Sequence, residues 1–172
     1  MKIYLIGLPG CGKTTLAKQL AQQLRIPFID LDAEIEKYVG QSVRIIFKQY
    51  GESFFRKQEA ETLRQLSESN REFVMATGGG APVFHNNMNY MNTTGITIFL
   101  DVATREITTR ILNSNKEERP LLATLAPDEL KDKIEFLRSQ RVQFYSQAHH
   151  TLSGTFHAND LLAIVQALKR EP

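Results

Sequence analysis

The nine residues "GLPGCGKTT", Gly7–Thr15, constrain the fold of this chain more than any other stretch. They fit the pattern G-x-x-x-x-G-K-[ST], follow a short apolar run ("KIYLI") typical of a buried strand, and precede a segment with leucine and alanine at helical spacing. A phosphate-binding loop requires this context, because loop N–H groups and the positive end of the next helix hold phosphate oxygens together. A plain glycine turn is the alternative, which the context disfavours.

In such a loop, Lys13 reaches the β- and γ-phosphates of a nucleotide and the Thr14 hydroxyl ligates Mg²⁺. The loop residues expected to contact ATP are Gly10, Cys11, Gly12, Lys13, Thr14 and Thr15. A thiol near a helix N-terminus can be easily oxidised, but for Cys11 the sequence favours a simpler interpretation, a small residue that fills a small space.

Strand-like runs alternate with helical segments along the rest of the chain. The sequence predicts further strands at "IPFID", "EFVMAT", "GITIFLD" and near "HHTLSG". It predicts helices over about 13–24, 33–69 with breaks at Gly40 and Gly51, 103–112, 128–148 and 159–169, and a polar loop at "NSNKEERPLLATLAP". This alternation indicates an α/β fold with a parallel sheet between two layers of helices, and ligands at the carboxyl ends of the strands.

Size and charge exclude several classes of protein. A chain of 172 residues with 42% hydrophobic and 23% charged residues is expected to form one globular domain, 1–172. The net charge of +2 is too small to indicate nucleic acid or an anionic membrane as the main partner. One cysteine allows no disulfide within the chain, and no segment is long and apolar enough to span a bilayer, so we expect a cytoplasmic protein.

Two classes of P-loop protein fit poorly. A GTPase needs Asn-Lys-x-Asp after a strand, whereas "NKEE" at 115–118 lies in the polar loop and has glutamate at the key place. A mechanical ATPase needs an apolar strand that ends in an acid beside the first strand, which "ITIFLD" resembles, but no glutamate follows it and a chain of 172 residues lacks room for the usual arginine-finger subdomain. The remaining class is a small kinase with a separate small-molecule acceptor.

An acidic pair, Asp30 and Asp32 in "DLD", ends the second predicted strand. If the strand continues through them, the two side chains share one face and point into the crevice together. One carboxylate can then steady Mg²⁺ through water, and the other can accept the proton of an attacking hydroxyl. Capping of the next helix by Asp32 is the alternative.

Inward-facing charges mark two predicted helices. Glu59 falls within the apolar stripe of one, with Arg56 one turn away as its expected partner. Arg141 takes one step of a stripe that contains Leu130, Ile134, Leu137, Phe144 and Ala148, so it must meet an anion or reach the surface along its stem. Arg119 lies in the polar loop, where an arginine can close on a transferring phosphoryl group or be one more surface charge.

Three glycines follow the third predicted strand in "VMATGGGAPV". They are costly to order, so either they form a flexible turn or they provide a backbone that a small ligand touches directly. Their place at a strand end favours the second interpretation, in which the N–H groups of Gly78, Gly79 and Gly80 meet oxygens of the acceptor.

In chain order, "GLPGCGKTT", "DLD", "FFRKQE", "TGGGA", "RPLL" and "RVQFYSQA" together resemble the shikimate kinase family over nearly the whole chain. The resemblance implies a three-layer P-loop kinase of the nucleoside-monophosphate-kinase type, with a five-stranded parallel sheet and a mobile lid at about 113–124. It also implies Mg²⁺-dependent transfer of a phosphoryl group from ATP to the 3-hydroxyl of shikimate, in aromatic amino-acid biosynthesis, by a protein expected to be a monomer.

The resemblance also implies roles for individual residues. Asp32 resembles the residue that contacts the reacting hydroxyl, and Asp30 the residue that supports Mg²⁺. The residues similar to the family's acceptor site, in a helical segment at about 33–62 and beyond it, are Arg56, Glu59, Gly78, Gly79, Gly80 and Arg141. Arg119 resembles the lid arginine and Arg110 the residue that stacks near adenine. Another small-metabolite kinase, such as a gluconate kinase, and a non-catalytic nucleotide-binding paralogue remain open.

Overall fold

Five parallel strands form the centre of the molecule, in the order β2-β3-β1-β4-β5. The structure is a computed structural model that describes residues 1–113 and 125–168. The strands are β1 (Lys2–Ile6), β2 (Phe28–Asp30), β3 (Phe73–Ala76), β4 (Ile96–Asp101) and β5 (His150–Ser153). The helices are α1 (Lys13–Leu24), α2 (Leu31–Val39), α3 (Val43–Ser69), α4 (Asn87–Thr94), α5 (Thr104–Asn113), α6 (Pro127–Tyr145) and α7 (Ala158–Leu168), with a 3-10 turn at Ala81–Val83.

The central strand β1 carries an apolar side chain at nearly every position because both of its faces are covered. Ile3, Leu5 and Ile6 are fully buried, which is the pattern of a strand that lies between two layers of helices. The chain leaves β1 towards β2 through α1 and leaves β4 towards β5 through α5 and α6, in opposite directions across the sheet. Right-handed crossovers in opposite directions put these helices on opposite faces.

The register of the strands aligns their carboxyl ends at one edge of the sheet. Leu5 pairs with Ala76, and Asp30 at the end of β2 also pairs with Ala76. On the other side of β1, Ile6 pairs with Phe99. The segments that follow β1, β2 and β3 therefore start side by side, which brings the P-loop and the glycine run next to the acidic pair at the end of β2 and the start of α2.

Both predicted glycine breaks are present. Gly40 ends α2 in the left-handed conformation, with φ 76°. Gly51 bends α3 with φ 81° and ψ 172°, a combination that only glycine adopts readily. The bend lets the first half of α3 pack back on the second, where the rings of Phe47 and Phe55 lie 4.6 Å apart.

The structure differs from the sequence prediction at three places. The second strand, expected to continue through "DLD" to Asp32, ends at Asp30, and α2 begins at the next residue. Helix α4 was not predicted, because "NMNYMNTT" is rich in asparagine and threonine, which are poor helix formers, and buries few apolar side chains. Helix α6 ends at Tyr145, earlier than expected.

The predicted lid at about 113–124 lies outside the described residues, apart from Asn113 at the end of α5.

None of the helices in the two described segments has both the length and the apolar character that a membrane span requires.

Candidate active site

The loop after β1 has the backbone of an anion cradle. Gly7, Gly10 and Gly12 all have positive φ, at 145°, 87° and 98°, and a Cβ on Gly7 would lie 2.9 Å from the Leu100 carbonyl oxygen. The loop leads directly into α1, whose first residue is Lys13. The buried Lys13 ammonium donates to the carbonyl oxygens of Gly7 and Leu8, each at 2.9 Å.

Thr14 and Asp30 lie against each other. The Thr14 hydroxyl donates to Asp30 Oδ2 at 3.0 Å, and the other Asp30 oxygen accepts from the Ala33 N–H at 3.3 Å. Hydroxyl and carboxylate oxygens are the ligands that Mg²⁺ prefers. The structure thus brings together both residues predicted for the metal.

The predicted geometry of the acidic pair is wrong in one respect. Asp30 caps α2, whereas Asp32 lies in the first turn of that helix, so the two carboxylates do not share the face of a strand. Asp32 reaches the crevice from the helix, where the chain turns back over the sheet edge.

Asp32 has an environment that favours its neutral form. Its Oδ1 atom is buried and accepts no hydrogen bond from the described residues. Burial and the charge of Asp30 raise the pKa of Asp32 to about 6, against the opposing effects of Lys13 and Arg56. A carboxyl with this pKa is ionised at neutral pH and can still accept a proton readily.

Arg56 and Glu59 form a buried ion pair on α3, as predicted from the stripe. Arg56 Nη1 donates to Glu59 Oε2 at 2.8 Å, and Glu59 is fully buried. Glu52 accepts from the other side of the guanidinium at 3.1 and 3.2 Å. Burial raises the pKa of Glu59 to about 7, although the Arg56 charge opposes this shift. The rings of Phe47, Phe55 and Phe84 also surround the guanidinium carbon, at 4.6 to 5.8 Å.

The glycine run lies against all of these charged groups. A Cβ on Gly78 would lie 2.8 Å from Glu59 Oε1 and 2.9 Å from Asp32 Oδ1, and one on Gly80 would lie 2.4 Å from Arg56 Nη2. A Cβ on Gly79 would lie 3.2 Å from Arg141 Nη1. Since none of the three glycines has the positive φ that favours glycine, close approach is the reason for the run.

A family model described as shikimate kinase matches residues 9–169. The chain belongs to the shikimate kinase family. A shikimate kinase of Bacteroides fragilis is 44% identical over 150 residues, which are 87% of this chain and 83% of that protein. A shikimate kinase of Clostridium botulinum is 36% identical over 169 residues, 98% of this chain and 96% of that protein.

Solved shikimate kinases have the same fold. The crystal structure of the enzyme from Bacteroides thetaiotaomicron superposes with a TM-score of 0.90 at 37% identity and covers 98% of both chains. Shikimate kinase from Acinetobacter baumannii in complex with shikimate has a TM-score of 0.87 at 32% identity, covering 99% of this chain and 95% of that one. The predictions of an ATP-dependent kinase of this family and of a five-stranded P-loop fold are thereby confirmed.

Residues that were predicted for the nucleotide side of this shikimate kinase family member also lie near one another. Arg110 on α5 donates to the Cys11 carbonyl oxygen at 3.1 Å and pairs with Glu106. Cys11 is fully buried, with its sulfur 3.7 Å from Lys13 Nζ, which agrees with a small residue in a small space. Thr15 is exposed next to them on α1. Arg119 lies outside the described residues.

One residue of the site was missed by sequence reasoning. Tyr145, the last residue of α6, is fully buried, and its hydroxyl donates to the Gly79 carbonyl oxygen at 2.5 Å. Burial raises the pKa of Tyr145 to about 12, while the charge of Arg141 lowers it. The apolar stripe predicted for this helix contains Phe144 and not Tyr145. The one signal in the sequence was the residue type, because a tyrosine that is buried needs a partner for its hydroxyl.

Proposed function

We propose that this chain transfers the γ-phosphoryl group of ATP to the 3-hydroxyl of shikimate, yielding shikimate 3-phosphate and ADP. The observation that carries this proposal is the meeting of a P-loop, a carboxylate with a raised pKa and two arginines around one glycine run. A carboxylate acceptor with a nearby hydroxyl fits the charges of this site, and the Acinetobacter baumannii relative is known in complex with shikimate.

The acceptor is held by Arg56 and Arg141, together called the arginine clamp, which bind its carboxylate. Arginine suits this task because its planar fork can donate two parallel hydrogen bonds to one carboxylate. Glu59 keeps Arg56 in place, and Gly78, Gly79 and Gly80 let the acceptor lie close to the backbone. The support is that a Cβ added to any of the three glycines would lie within 3.2 Å of a charged group of this site.

Asp32 acts as the general base. It accepts the proton of the 3-hydroxyl while the hydroxyl oxygen forms a bond to the γ-phosphorus, and the bond from that phosphorus to the bridging oxygen of ADP breaks. The Asp32 Oδ1 atom accepts no hydrogen bond from the described residues and is available for this proton, and general-base catalysis typically contributes 10²–10⁴-fold to the rate.

The phosphate donor is held by the loop residues Gly10–Thr15, with Lys13 on the β- and γ-phosphates and Arg110 at the adenine side. Thr14 and Asp30 would hold Mg²⁺, directly or through water, and the oxygen atoms that they bring together are a suitable donor set. When bound, this ion neutralises charge on the phosphate oxygens. Arg119 completes the charge neutralisation from the lid at about 113–124.

The proposal includes the organisation of the chain: one kinase domain over 1–172, an acceptor-binding helical segment at about 33–62, a monomer, and a cytoplasmic location where ATP is supplied. ATP and shikimate are its only required partners, with neither nucleic acid nor membrane involved.

A coupled assay of ADP release tests this function. Shikimate should stimulate ADP release in the presence of ATP and Mg²⁺, and the product should show a phosphorus–proton coupling at position 3 by NMR. Lys13→Met, which removes the loop ammonium, is the inactive control. Stimulation by gluconate instead of shikimate would indicate another metabolite kinase, and tight ATP binding without transfer to any hydroxy acid would indicate a non-catalytic paralogue.

A further inference from the structure

Arg141 is half-buried and lies on α6. The position of its guanidinium beside the glycine run therefore depends on the position of that helix. The N-terminal half of the helix is fixed by two fully buried side chains, Leu130 and Ile134. The half that carries Arg141 contains Leu137, Arg141 and Phe144 at intermediate exposure. Between Ile134 and the fully buried Tyr145, no side chain of α6 is fully buried, so apolar packing alone holds the stretch around Arg141 less firmly than the start of the helix.

Two polar contacts tie this second half of α6 to the sheet edge. One turn before Arg141, Arg138 Nη1 donates to Asp101 Oδ1 at 2.6 Å, in a half-buried ion pair with the last residue of β4. One turn after Arg141, the Tyr145 hydroxyl donates to the Gly79 carbonyl oxygen, and the Tyr145 ring packs 5.0 Å from that of Phe99.

The spacing of these contacts is suited to holding the residue between them. Seven residues are close to two full helical turns, so Arg138 and Tyr145 lie about 10 Å apart along one face of α6. Arg141 lies within about 60° of both around the helix axis. Two fixed points on one face prevent rotation of the helix as well as sliding along its axis. One of them fixes the carbonyl of Gly79, the glycine that Arg141 itself approaches.

We propose that Tyr145 and the Arg138–Asp101 ion pair are positioning residues for the acceptor site, which set the place of Arg141 over the glycine run. This inference rests on the proposed function, because it assigns the three side chains to the arginine clamp rather than to the general stability of the fold. Pre-positioning matters since binding otherwise has to immobilise a side chain with many rotamers.

Tyr145→Phe and Arg138→Met test the two contacts separately. The first keeps the ring packed on Phe99, and the second keeps the aliphatic stem. Each should raise the KM for shikimate about 3- to 10-fold, the change expected for the loss of one hydrogen bond or a partly buried ion pair, and leave the KM for ATP unchanged. Arg138→Lys should restore most of the KM for shikimate.

Matched controls separate positioning from stability. Tyr4→Phe removes another buried hydroxyl, one that bonds Ser67 and Thr94, and Lys131→Met breaks an exposed ion pair with Glu135 on α6 itself. Both should leave the KM for shikimate unchanged. Equal increases of this KM in the test and control variants, or equal increases of both KM values, would overturn the proposal.

Amide hydrogen exchange provides a readout that needs no substrate. Exchange in peptides covering 138–145 and 78–80 should be faster in Tyr145→Phe and Arg138→Met than in the two controls. Unchanged exchange in both test variants would overturn the proposal. If the proposed function itself is wrong, the unaltered protein will show no shikimate-dependent ADP release. In that case the exchange comparison alone would test whether the two contacts hold the second half of α6 in place.

Discussion

At the scale of single residues, two carboxylates give the site its chemical character. Asp32 Oδ1 and Glu59 Oε1 are both buried without a hydrogen-bond partner among the described residues. Both lie within 2.9 Å of the position that a Cβ on Gly78 would occupy. Burial is the largest cause of the raised pKa of each carboxyl, and the charge of Asp32 raises the pKa of Glu59 further. Both oxygens are strong acceptors for a hydroxyl that reaches them, since no described residue donates a hydrogen bond to either.

The first prediction concerns the base. Asp32→Asn should lower kcat by roughly 100-fold or more, because asparagine cannot accept the proton. In the unaltered protein, kcat/KM for shikimate should fall as the pH drops below about 6, where Asp32 becomes protonated. Initial rates between pH 5 and 9 measure both effects. A variant that keeps most of its turnover would show that Asp32 is not the base.

The second prediction concerns the arginine clamp. Arg141→Ala should raise the KM for shikimate by about 10- to 100-fold, since hydrogen bonds to charged groups are worth about 1.5–3 kcal/mol, and it should change kcat much less. Steady-state kinetics with each substrate varied in turn provides the measurement. If the KM for ATP rises instead, Arg141 belongs to the nucleotide site.

At the scale of elements, the glycine run after β3 is the most constrained segment of the site. We predict that Gly80→Ala raises the KM for shikimate, because a Cβ only 2.4 Å from Arg56 Nη2 must push the guanidinium away from its buried partner. Gly40→Ala is the control: it strains a residue at φ 76°, but nothing lies within 4 Å of the added atom. Equal kinetic effects of the two substitutions would mean that close contact with Arg56 is unimportant.

The sequence predicted the elements well where local rules decide them. All five strands, the P-loop and the breaks at Gly40 and Gly51 follow from apolar runs and glycine positions, which are local signals. Two features of the candidate site were not predictable in this way. The end of β2 at Asp30 depends on whether the backbone turns before or after Leu31, and the contact between Tyr145 and Gly79 joins residues that are far apart in the chain.

At the scale of the whole molecule, the active site reduces the stability of the fold. The ordinary pKa of Asp32 is 3.8 and its pKa in the fold is about 6, so the folded state favours the neutral form. The resulting stabilisation is complete below the ordinary pKa and is lost as the pH rises through 6. At pH 8, the fold therefore holds an ionised carboxylate that would be more favourable in water.

We therefore predict that Asp32→Asn is more stable than the unaltered protein at pH 8, by roughly 1–3 kcal/mol, with a smaller difference at pH 5. Urea unfolding at the two pH values measures this change in the free energy of unfolding. Glu34→Gln is the control, because it removes a carboxylate charge from the same first turn of α2, at a residue that pairs with Lys37. A gain that is equal for the two variants, or equal at the two pH values, would contradict the prediction.

The contacts of the glycine run also have an evolutionary consequence. Because an atom added to Gly80 collides with Arg56, and one added to Gly78 collides with Asp32 and Glu59, each glycine is constrained only while its charged neighbour is present. A lineage that loses the activity should lose the charged residue first, and only then does the glycine become free to mutate. Such losses therefore occur in one order, the charged residue before the glycine. In a protein that already carries Arg56→Ala, Gly80→Ala should change the free energy of unfolding very little.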